Sequence, residues 1–148
     1  MRLLLVLLFI SNFSFAQKCK HQIAFHYYSN GEYKKAITIY NDLIEENFSV
    51  SYYIPYIQSF IKLDDYKSAE SLAKRFSKKY PKNLSYQIDI GVSQRKSGYI
   101  KKSERTIKKV YDRIGKSRSQ AINLANTFRR YEMIEASLKV YSISEKYN

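Results

Sequence analysis

Three side chains near the start of the chain, Cys19, His21 and His26, are of the kinds that hold transition metals or relay protons. Their spacing does not gather them. Positions two apart on a helix face different ways, and no fourth ligand stands nearby, so the sequence predicts no metal site. Cys19 is the only cysteine, which leaves no partner for an internal disulfide. The acidic pairs Glu45-Glu46 and Asp64-Asp65 are adjacent in sequence; neighbours on a helix diverge, and the second pair reads as a turn and a cap. There is no Gly-x-Ser-x-Gly elbow, no Gly-x-x-x-x-Gly-Lys phosphate loop, no His-Glu-x-x-His helix and no paired Cys motif. Both histidines fall within residues 17–26, so a histidine base could be built only there. The expectation is a protein that is not an enzyme and uses no cofactor.

What the chain carries in quantity is positive charge. Its 148 residues include 26 Lys and Arg against 13 Asp and Glu, a formal net charge of +13. The cations recur as doublets (Lys34-Lys35, Lys78-Lys79, Lys101-Lys102, Lys108-Lys109, Arg129-Arg130) separated by apolar and aromatic residues, with no basic tail. Charge of this sign favours an anionic partner, such as an acidic protein, lipid headgroups or a glycan, and does not set the fold.

The first residues have the layout of a secretory signal peptide. Arg2 precedes an unbroken apolar run from Leu3 to Ile10, and Ser14 and Ala16 place small residues where a signal peptidase reads, so cleavage is expected after Ala16. The apolar run is well short of the ~20 residues that span a bilayer. Gln17 and Lys18 separate Cys19 from the cut, which disfavours lipid attachment there. The expected product is residues 17–148, exported to the periplasm, outer envelope or extracellular space, with no transmembrane segment. Nucleic acid is then the least favoured anionic partner.

The mature chain divides into four units, about 17–49, 50–83, 84–116 and 117–148. Aligning the small residue after a polar turn gives Ala36, Ala69, Ser103 and Ala136, spaced by 33, 34 and 33 residues, and a fixed period of that size marks a helical array. After each turn runs an apolar stripe of helical period. In the first unit it is Tyr33, Ala36, Ile37, Tyr40, Leu43 and Ile44; in the second Tyr66, Ala69, Ala73, Phe76 and Tyr80. Ile100, Ser103, Ile107, Val110 and Ile114 continue it, then Met133, Ala136, Val140 and Ile143. Gly31 and Gly98 suit the left-handed residue that ends a helix, and Asp64 or Asp65 can cap the next. Pro55 fits a helix only in its first turn, so the first helix of the second unit should begin around Ser51 or later.

These residues resemble a tetratricopeptide repeat array. The first unit matches at Ala24, Tyr27, Gly31, Tyr33, Ala36 and Tyr40, the second at Phe60, Tyr66, Ala69 and Pro81, and the third at Gly91 and Gly98. There is no Trp, so the family's early Trp position is filled by Lys20, Tyr53, Gln87 and Gln120. The resemblance implies an all-α fold, a right-handed α-solenoid of about four helix-turn-helix repeats and about eight antiparallel helices. It also implies that the first helix of each unit lines a groove. The groove positions carried over are His21, Phe25 and Tyr28; then Ile54, Gln58, Ile61 and Lys62; then Ile88, Val92, Arg95 and Lys96; and finally Arg118, Ala121, Ala125, Phe128 and Arg129.

Such a groove would be apolar and aromatic near its start and basic near its end, suited to an extended peptide with apolar side chains and acidic groups. The expected function is an exported protein-interaction scaffold. The alternatives are an electrostatic binder of an anionic envelope surface or polymer, and the leading module of a longer array. The same side chains also fit a plainer assignment, aromatics as packing and arginines as a solvated face. Tyr131, Ile134, Leu138 and Tyr141 form a further apolar set with no following repeat to cover it, which suggests self-association or continuation at that end.

Overall fold

The computed structural model describes residues 17–115 and 117–146; the expected signal peptide, residues 1–16, lies outside them. The described residues form eight α-helices and one short 3-10 turn, with no strand. They fall into two compact units, one ending at Asp64 and the other beginning at Asp65.

The first unit contains α1 (residues 17–29), α2 (Tyr33–Glu46), the 3-10 turn Val50–Tyr52 and α3 (Tyr53–Lys62). The apolar stripe of α2 buries Ala36, Tyr40, Leu43 and Ile44, as its period predicts. Tyr40 is the centre of the packing. It has no exposed surface and meets the rings of His21 at 5.9 Å, Tyr52 at 6.4 Å and, stacked, Tyr56 at 5.6 Å. A hydrogen bond from Tyr56 to Asn41 and an ion pair between Lys20 and Glu46 join neighbouring helices across the rim of this aromatic core. Pro55 is the third residue of α3, within the first turn, where no intrahelical N–H is needed.

The second unit contains α4 (Tyr66–Lys79), α5 (Ser85–Lys96), α6 (Ile100–Tyr111), α7 (Arg118–Arg129) and α8 (Ile134–Glu145). Helix α5 is the hub, packed against α4, α6 and α7. Its residues Tyr86, Ile88, Asp89, Ile90, Gly91, Val92, Ser93 and Gln94 are all buried, so it lacks the one-sided stripe of a surface helix. Ile88 and Val92 join Val110 of α6, Leu124 and Phe128 of α7 and Val140 of α8 in one core. Close approach of α5 to α6 depends on Gly91, where a Cβ would lie 2.6 Å from Ile107 Cδ1.

Each turn expected from the sequence contains one residue in the left-handed region: Gly31 (φ 78°), Asp64 (56°), Gly98 (84°) and Glu132 (60°). Those positions recur every 33 or 34 residues, so the backbone carries the same period as the side chains. In three of the turns the residue after the left-handed one donates its N–H back five positions: Glu32 to Tyr27, Tyr99 to Gln94 and Met133 to Phe128, at 2.9 to 3.1 Å. In the remaining turn Asp65 caps α4, accepting from the Ser68 N–H at 3.1 Å.

Candidate binding surface

The expected groove residues divide by chemistry. Arg95, Lys96, Arg118 and Arg129, on α5 and α7, are exposed, as are Lys62 on α3 and the apolar Phe25 on α1 and Ile54 on α3. Tyr28, His21 and Ile61 are partly buried, with the Tyr28 ring 6.0 Å from Phe25. Ile88 and Phe128 have no exposed surface, and Ala121 and Ala125 almost none. These four are core residues and present nothing to a ligand, which corrects their assignment to a groove. Gln58 is likewise buried, with its amide nitrogen unpartnered among the described residues. The reason is geometric: a first helix packed on several sides spends its apolar positions on the core, leaving mainly its charged positions to solvent.

Three expected residues do meet in one place. Val92, Arg95 and Lys96, at the end of α5, face residues 131–136, at the turn into α8, across a cleft of about 590 Å³. Its lining combines the apolar Val92, Met133, Ile134 and Ala136 with the cations Arg95 and Lys96 and the acids Glu132 and Glu135. The cleft is therefore of mixed sign and not purely basic.

Beneath this cleft lies a buried ion pair that the sequence did not reveal. Asp89 of α5 has no exposed surface; its Oδ1 accepts from Arg130 Nη2 at 2.6 Å and from the Tyr131 hydroxyl at 2.7 Å. The guanidinium also lies over the Tyr131 ring, 5.2 Å from its centre. Burial, the largest single influence, would lower the Arg130 guanidinium, but the Asp89 charge, the Tyr131 phenol and the hydrogen bonds to both together outweigh it and leave Arg130 above its ordinary value. Burial, reinforced by Asp89, pushes the Tyr131 phenol upward, so it remains a donor. Since Tyr131 also lines the cleft, the position of the cleft wall is fixed from below.

A second polar cluster ties α4 to its neighbours. Burial favours the neutral form of Glu70, yet bonds from Gln94 Nε2 (2.9 Å), Lys74 Nζ (2.7 Å) and Lys102 Nζ (3.3 Å) prevail and hold its carboxyl below the usual value. In the first unit, burial lowers the His21 imidazole, whose ring sits 5.0 Å from Tyr52. His26 instead bonds Asn30 at 2.9 Å on the exposed side of α1. Cys19 and His26 line one shallow surface pocket while His21 packs on Tyr52 and Tyr40, and no group of three or more His, Cys, Asp and Glu converges among the described residues. No helix among them is long and apolar enough to cross a membrane.

No family model and no curated protein matches the chain. Solved structures do resemble it. MamA of Desulfovibrio magneticus RS-1, residues 41 to the end, superposes with a TM-score of 0.57 over 88% of this chain and 75% of its own, at 12% identity. MamA from MSR-1 gives 0.56 over 89% and 79%, again at 12% identity. MamA is tetratricopeptide-like. The fold is an α-solenoid of helix-turn-helix repeats. At this identity the likeness speaks for the fold alone.

Proposed function

We propose that the protein is a non-enzymatic interaction scaffold of the cell envelope that binds an extended segment of a partner protein on the first helices of the repeats in its second unit. The observation that carries this reading is the cleft at the end of α5, lined by Arg95 and Lys96 together with the apolar Val92, Met133 and Ile134. An apolar side chain seated on Val92, Met133 and Ile134 would supply binding energy, and the flanking charges would set orientation and speed association. Exposed Arg118 and Arg129 on α7 extend the cationic surface in the same unit, which favours acidic groups in the partner. Exposed Phe25 and Ile54 offer apolar contacts in the first unit.

The test is partner capture from an envelope extract with the unmodified chain and with Arg95→Glu combined with Arg129→Glu. Both side chains are exposed, so the variant is expected to fold and to lose at least one specific partner. If every partner is still captured, the groove reading is wrong.

Export rests on the pattern of Arg2, the Leu3 to Ile10 run and Ala16. The mature chain should begin at Gln17 in the envelope or medium. Protein recovered only with Met1 retained would refute export with cleavage.

A further inference from the structure

A second surface, which shares Ile134 with the cleft but none of its cations, carries another binding chemistry. Helices α4, α6 and α8 are the second helices of their repeats, and each exposes one outward face. They are neighbours in the second unit: Lys102 of α6 reaches Glu70 of α4 at 3.3 Å, and Lys139 of α8 lies over the Tyr111 ring of α6, 4.6 Å from its centre. On α4 and α6 the outward face is cationic, each helix holding five Lys or Arg against one Glu. On α8 it is apolar.

The repeat period makes this comparison position by position. Ile134 occupies the place of Lys67 and Lys101; Leu138 that of Ser71 and Arg105; Tyr141 that of Lys74 and Lys108. All nine are exposed, with Ile134 at 55% and Leu138 at 62%. The chain's own repeats therefore show that this face tolerates, and elsewhere uses, lysine. Three consecutive apolar choices along one face of α8 break that rule.

We propose that this face docks on an anionic lipid surface, with the cations of α4 and α6 on the headgroups and Ile134, Leu138 and Tyr141 entering the interfacial layer. Charge complementarity selects that occupant. Basic residues near an anionic leaflet are attracted by the surface potential, and a short apolar stripe beside them adds shallow insertion. A second copy of the chain fits less well. It would bring the same cationic faces against these, and a stripe of three side chains falls far short of the roughly 800 Å² per partner of a stable interface. Nucleic acid would use the cations and leave the apolar stripe unsatisfied.

The chain contains no Trp, so Tyr141→Trp creates a single reporter on this face, read separately from any contact made by residues 1–16. Emission is measured on the full chain with vesicles of phosphatidylglycerol and phosphatidylcholine, with phosphatidylcholine alone, and with duplex DNA. The expected result is a shift to shorter wavelength with the anionic vesicles only. Adding Leu138→Arg should abolish the shift, and adding Lys101→Glu, Arg105→Glu and Lys108→Glu should lower vesicle partitioning by more than about tenfold. These sites are exposed, and far-UV circular dichroism confirms that each variant is folded. No shift with anionic vesicles, an equal shift with neutral ones, a shift with DNA, or a shift that grows with protein concentration without lipid would each overturn the proposal.

Discussion

Asp89 occupies a position that few acidic residues hold, the middle of a helix buried on every side. It is kept there by two donors from the α7 to α8 turn, Arg130 and Tyr131. Removing one partner of such a pair strands the other in a place that water reaches poorly, and breaking a fully buried pair costs about 3–5 kcal/mol. Arg130 keeps 21% of its side chain exposed, so it recovers some hydration, and Asp89→Asn should cost nearer ~2–3 kcal/mol. Tyr131→Phe, losing one hydroxyl, should cost ~1 kcal/mol. Urea unfolding checks both, and combining Asp89→Asn with Arg130→Gln should cost less than the sum of the two single changes. If Asp89→Asn lies within about 0.5 kcal/mol of the parent, the pair is not a structural tie.

At the scale of elements, the second helices and their turns were readable because one residue type at one spacing decides them. The stripe of α2 buries Ala36, Tyr40, Leu43 and Ile44, and Gly31 and Gly98 take the left-handed conformation expected of them. The last turn was harder, because Glu132 adopts positive φ where a glycine or asparagine would have announced it. For the first helices the sequence indicates position and leaves facing ambiguous. A helix such as α5, buried all round over most of its length, gives no one-sided pattern from which to separate core from groove, so the place of Ile88 in the core is not legible; on α7 Phe128 lies on the buried side of a two-sided helix, and a family position alone points it to a groove. The charged members, Arg95, Lys96, Arg118 and Arg129, are exposed, because burial of an unpaired cation is too costly to compete. Asp89 and Arg130 could not be paired from sequence: they lie 41 positions apart, and neither stands in a motif.

For the whole molecule, the excess of positive charge sets a constraint that no local contact removes. Even if each of the 13 acids paired with a separate cation, 13 of the 26 Lys and Arg would remain unmatched. In the second unit the acids are partly spent in clusters, with Glu70 taking both Lys74 and Lys102 while Asp89 is enclosed with Arg130. The unmatched cations sit on exposed helix faces, where mutual repulsion opposes the compact state and counterions relieve it. Screening acts on exposed charges farther apart than the Debye length, about 10 Å at 0.1 M salt, and leaves the buried Asp89–Arg130 pair nearly untouched. Salt should therefore stabilise this protein, since the repulsion it removes exceeds the exposed attraction it weakens. Between about 20 mM and 200 mM sodium chloride, Tm is expected to rise by a few degrees, corresponding to roughly 1 kcal/mol for a chain of this length. Scanning calorimetry gives the answer directly, and potassium chloride should act equally, because the effect is one of screening. A Tm that stays level or falls over that range would mean that the surface ion pairs Lys20–Glu46, Lys35–Glu32 and Lys74–Glu70 outweigh the repulsion among the unmatched cations.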